Sequence, residues 1–167
     1  MYSYDEVEAS TITHRASAEY KAFRVAVGEK RLLEQPSDLR FWRPTNIGFL
    51  TRKVHMNSFK NQSHGKNYIV IDELTPASGE YKHIFELLSK ISLKAEKTQE
   101  VLSFWVLQRE DGDKTAFLVF TSYVERDYWA LFNAQTEIQD HWATLYDLSK
   151  DWSRTTWMGP GLGFLGR

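Results

Sequence analysis

From residue 67 onward the apolar positions change their period several times, and each change marks an element. NYIVIDEL (residues 67–74) is a β-branched run that Thr75-Pro76 interrupts, the mark of a strand followed by a break. SGEYKHIFELLSKISLKAEK follows, with Tyr81, Ile84, Phe85, Leu88 and Ile91 at helical steps, so an amphipathic helix with one buried face is predicted. VLSFWVLQR (residues 101–109) is apolar at both alternating sets of positions and reads as a strand covered on both sides. Asp111-Gly112 supplies a tight turn, and TAFLVFTSY (residues 115–123) is its hairpin partner. A helical stretch then runs from about residue 125 to 152, with a break at 134–137. Tyr128, Trp129, Phe132, Ile138, Trp142, Leu145 and Leu148 form its stripe. Gly159-Pro160-Gly161 ends it, and LGFLGR is read as a last short strand. The order strand, helix, strand, strand, helix, strand is the split βαβ plan of a ferredoxin-like unit.

The first 53 residues gain meaning from a repeat. FWRPTNIGFLTR (residues 41–52) and TWMGPGLGFLGR (residues 156–167) both place a Trp six residues before Gly-Phe-Leu-x-Arg. Upstream of the first phrase, THRASAEYKAFRVAVGEKRLLEQ is read as a helix. Its Ala16, Glu19 and Tyr20 correspond to Ala134, Glu137 and Ile138, with a shift of three residues before the repeated Trp. Residues 1–53 therefore read as the final helix and closing strand of a partial first repeat, residues 54–66 as a polar linker, and residues 67–167 as a complete repeat.

Composition narrows the class without naming a reaction. The chain has 167 residues, of which 42% are hydrophobic and 26% charged, proportions ordinary for a globular domain. A net charge of −1 gives no bulk attraction for nucleic acid or an anionic membrane. No cysteine is present, so disulfides, thiolate nucleophiles and Cys-held metals are excluded. The opening MYSYDEVEAS is polar and acidic, and no apolar run reaches the ~20 residues of a membrane span, so a soluble cytoplasmic protein is expected. Aromatic residues make up 14%, including six Trp, which either fill a core or line a cavity for a flat ligand.

YIVIDELTPASGEYKHIFELLSKI, the strand pair around EDGDKTAFLVFTSY and the segment VERDYWALFNAQTEIQDHW together resemble the antibiotic-biosynthesis monooxygenase family of the dimeric α+β barrel superfamily. The resemblance implies an α+β fold in which ferredoxin-like units form a dimeric α+β barrel, each sheet covering its second face with another, and hence a homodimer. It also implies chemistry without metal or flavin: an anthrone-like aromatic is deprotonated, and the electron-rich anion itself reacts with oxygen. Monooxygenation, cyclisation and isomerisation of a hydrophobic aromatic or polyketide-like molecule are all compatible with that scaffold. The third strand of such oxygenases carries an Asn and a Trp, at positions held here by Val119 and Tyr123. The family's helix His falls on Phe132 in the complete copy and is kept as His14 in the partial one.

Within that frame His141 is the candidate base and Tyr123 the candidate donor to the anion, while Trp105, Trp129, Phe132, Trp142 and His14 are the candidate pocket wall. No cofactor is expected, although haem-degrading relatives carry an iron-ligating His near His141, and a silent ligand-binding or assembly module is the competing reading. The carboxylates read as scattered over solvated surfaces, with no identifiable pair. His83 reads as solvent-facing, and His55 and His64 fit no metal spacing.

Overall fold

The computed structural model describes residues 13, 15–30, 40–50, 67–110, 113 and 115–158. The chain divides into two units, Met1–Leu39 and Arg40–Arg167. In the first, helix α1 (Ala18–Glu29) is capped by Ser17, whose hydroxyl accepts from the Tyr20 amide at 3.1 Å. His14, His55, His64, the Asp111-Gly112 turn and LGFLGR all lie outside the described residues.

The second unit contains β1 (Trp42–Phe49), β2 (Tyr68–Pro76), α2 (Tyr81–Lys97), β3 (Val101–Arg109), β4 (Phe117–Tyr123), α3 (Arg126–Asn133), α4 (Thr136–Asp147) and β5 (Ser149–Met158). Its five strands are ordered β1-β3-β4-β2-β5, with every neighbouring pair antiparallel. From β2 onward this is the ferredoxin-like arrangement, and β1 adds one strand beyond β3. The predicted helix from about 125 to 152 is corrected at its end. It breaks at Ala134-Gln135 as expected, but it stops at Asp147, and Ser149–Met158 is a strand. Trp152 and Arg154 have period-two spacing there, with Thr155 and Thr156 favouring extended backbone.

Strand alternation decides what each face carries. On β2, Tyr68, Val70 and Leu74 are buried, and on β3 and β4 so are Phe104, Val106, Phe117, Val119 and Tyr123. Against them α2 sets Ile84, Leu88, Ile91 and Ala95, α3 sets Phe132, and α4 sets Ile138 and Leu145. Each large side chain buried this way contributes roughly 1.5–3 kcal/mol, so this layer holds the unit together. The alternate residues Ile69, Ile71, Trp105, Leu107, Leu118 and Phe120 point to the other face and are only half-buried.

β1 joins the sheet through an irregular register. Pro44 pairs with Leu107 and Gly48 with Trp105, so β1 bulges between them. The Thr45 hydroxyl anchors the bulge by donating to the Val106 carbonyl at 2.8 Å and accepting from the Ile47 amide at 3.2 Å. Gly48 has φ +98°, and a Cβ there would lie 2.0 Å from the Phe104 carbonyl oxygen. The Gly of the repeated phrase is thus what lets this edge strand close onto β3.

Candidate functional site

β2 interrupts its buried apolar register with one carboxylate. Asp72 lies between Val70 and Leu74 on the helix-covered face and is 1% exposed. A bare carboxylate in such a place costs several kcal/mol unless it is paired and hydrogen-bonded. β5 supplies the partners, because the ladder sets Arg154 opposite Asp72 and Trp152 opposite Leu74. Arg154 Nε donates to Asp72 Oδ1 at 2.7 Å, and Trp152 Nε1 donates to the same oxygen at 2.8 Å. Burial pushes the Asp72 carboxyl above the ordinary carboxylate range, against the opposing pull of Arg154 and Trp152. Earlier expectation had the carboxylates on solvated surfaces; Asp72 corrects it.

Around the ion pair stands an aromatic layer. The Arg154 guanidinium carbon is 5.4 Å from the Trp142 ring centre and 5.7 Å from that of Trp152, within cation–π range. The Trp142 and Trp152 rings are 5.6 Å apart, and Tyr146 is 5.9 Å from Trp152. Trp142 Nε1 is buried without a hydrogen-bond partner.

Tyr123 closes the β4 side of the same layer. It is 1% exposed and packs 6.1 Å from Phe132. Burial, opposed by Thr121 and Asn133, raises its hydroxyl to about 12, so at neutral pH it holds its proton. Trp129 packs 5.6 Å from Tyr68, with its carbonyl accepting from Asn133 Nδ2 at 2.8 Å.

The sequence-derived candidates are therefore divided. Tyr123 and Phe132 sit in the helix-side core, and Trp129 and Trp142 pack against it. His141 is half-buried on α4, next to Trp142 and between Ile138 and Leu145 along the inward stripe. Trp105 projects from the reverse of the sheet, paired with Phe120 on β4, because it alternates with the buried Phe104 and Val106. Sequence reasoning missed Asp72, Arg154, Trp152 and Asn133. One available signal was a carboxylate in register with Tyr68, Val70 and Leu74. Among the described residues no three His, Asp or Glu side chains cluster as a metal site, and His83 is exposed and paired with Glu80 at 2.6 Å.

No family model matches the sequence, and no curated protein matches it. Solved structures do match the fold. A protein from Nitrosomonas europaea, provisionally named an antibiotic biosynthesis monooxygenase, is 17% identical with a TM-score of 0.53, over 62% of this chain and 98% of its own. A provisionally named monooxygenase from Lactobacillus acidophilus NCFM is 7% identical with a TM-score of 0.59, over 92% of this chain and 66% of its own. Another, from Fusobacterium nucleatum, is 9% identical with a TM-score of 0.58, over 91% of this chain and 64% of its own. This chain thus spans about two thirds of the length of the two longer neighbours. At these identities the likeness establishes the fold, a ferredoxin-like α+β unit of the kind found in the antibiotic-biosynthesis monooxygenases. Among the described residues no helix is long and apolar enough to cross a membrane.

Proposed function

We propose that the protein is a cofactor-independent enzyme of the antibiotic-biosynthesis monooxygenase kind, acting on a hydrophobic aromatic or polyketide-like small molecule in secondary metabolism. The observation that carries this reading is Asp72, a buried carboxylate whose hydrogen bonds both fall on Oδ1. A substrate with an activated C–H next to a carbonyl gives its proton to Oδ2, and the electron pair moves onto the carbonyl oxygen. Asp72 becomes neutral as the enolate forms, so the transfer leaves the total charge beside Arg154 unchanged. In oxygenation the carbanion reacts with dioxygen: a CH2 becomes C=O, and the second oxygen atom leaves as water with the two hydrogens. In cyclisation or isomerisation the proton returns to the product. Tyr123, protonated at neutral pH, is a donor and not a base, and His141 is the second candidate base.

Oxygen uptake against a panel of anthrones and hydroxynaphthalenes tests the reading. Turnover that disappears in Asp72→Asn and persists in His141→Ala assigns the proton to the carboxylate; the reverse pattern assigns it to His141. A silent ligand-binding module is the second reading, supported by how completely Val119 (0% exposed), Phe132 and Tyr123 (both 1%) fill the layer between sheet and helices. Binding without turnover by any panel member would select it.

The proposed assembly is a homodimer of chains that each carry one complete repeat and part of another. Its support is the half-buried apolar row Ile69, Ile71, Trp105, Leu107, Leu118 and Phe120, a surface suited to a second sheet. Light scattering giving a monomer at micromolar concentration would remove the dimer.

A further inference from the structure

We infer that Arg154 anchors an acidic group of the ligand, so that the site takes a flat aromatic molecule bearing a carboxylate. This rests on the site proposed above and adds the class of molecule that fits it. A guanidinium offers donors on two edges, and Arg154 spends only Nε on the protein, at 2.7 Å from Asp72 Oδ1. Neither terminal nitrogen donates to a described residue. These two nitrogens form the end-on fork that matches both oxygens of a carboxylate. The side chain is 35% exposed while Asp72 is 1% exposed, so the pair has a buried end and a solvent-reached end.

The surroundings fit the rest of such a molecule. Trp142 and Trp152 flank the guanidinium, and Tyr146, 67% exposed, extends the aromatic surface outward from Trp152. A fused aromatic ring laid on that surface brings a carboxylate on its rim to the Arg154 fork. An uncharged aromatic would gain the stacking and leave the fork unused. A carboxylate engages it, and charge-assisted bonds of this kind are worth on the order of tenfold or more in affinity.

Calorimetry with 3-hydroxy-2-naphthoate and 2-naphthol tests this on the wild-type protein, since the two share their ring system and hydroxyl and differ in the carboxylate. The expected result is a preference for the naphthoate of about tenfold or more. Arg154→Gln should bring the two affinities together by weakening only the naphthoate, and Arg154→Lys should fall between. Equal affinities in the wild type, binding of neither probe, or a preference unchanged in Arg154→Gln would each overturn the inference. If circular dichroism shows that Arg154→Gln does not fold, the wild-type comparison and Arg154→Lys decide. Because the readout is binding, a clear carboxylate preference in a protein that turns nothing over removes the enzyme and leaves the anchor standing.

Discussion

Asp72 and Arg154 face each other across the β2–β5 ladder, and the Arg154 Nε donates to the Asp72 Oδ1 at 2.7 Å. The pair joins an interior strand to an edge strand that is otherwise mostly exposed. It therefore has a structural role as well as the chemical one proposed for it, and the two can be separated by measurement.

Arg154→Leu leaves a buried carboxylate without its cation. The expected loss of unfolding free energy is about 3 kcal/mol, at the low end for buried pairs because Arg154 is itself a third exposed. Asp72→Asn keeps an acceptor for Trp152 and should cost less. In the double variant the losses should fall short of additive, which urea unfolding of all four proteins measures.

The pH dependence follows from the raised Asp72 carboxyl. Burial outweighs Arg154 there, so the folded state takes up a proton at higher pH than the unfolded chain does. This contribution to stability is complete below the unfolded value, about 4, and is lost as pH rises through the raised folded value. The wild type should therefore gain stability relative to Asp72→Asn as pH falls from about 7 toward 4. An opposite trend in paired urea titrations would mean that Arg154 keeps the carboxylate charged throughout.

Gly48→Ala tests the seam between β1 and β3. With φ at +98° and the Phe104 carbonyl 2.0 Å from the new Cβ, the alanine cannot keep the native pairing. A loss of about 1–3 kcal/mol is expected. Faster amide exchange should be confined to β1 and its β3 partners, since β2 and β4 pair with each other independently of the seam.

Tyr123→Phe distinguishes a donor from a packed ring. Removing the hydroxyl beside Thr121 and Asn133 should cost about 1 kcal/mol whatever its role. If the hydroxyl also stabilises a developing enolate, kcat falls with KM nearly unchanged; a kcat that does not move makes Tyr123 a core residue only.

The core strands and helices were legible because hydrophobic periodicity reports burial directly. The stripe from Tyr81 to Ile91 and the run VLSFWVLQR formed the elements they predicted. β5 was not legible, because an edge strand buries so little that its period-two signal rests on Trp152 and Arg154 alone. The candidate site was half-legible for a related reason. Aromatic residues announce themselves by size, and Trp129, Phe132 and Trp142 do sit on the helix side. Trp105 lies on the reverse of the sheet from them, which a strand apolar at both alternating sets of positions does not reveal. The Asp72–Arg154 pair joins residues from the two ends of the complete unit, and only the strand order brings them together.

Hydrogen–deuterium exchange at the acidic CH2 of anthrone, followed by NMR in anaerobic D2O, tests proton abstraction by Asp72 without requiring that oxygen be consumed. The account predicts that the wild-type protein accelerates loss of that signal and that Asp72→Asn, still folded, does not. Exchange no faster than in buffer, or equally fast with Asp72→Asn, would contradict it.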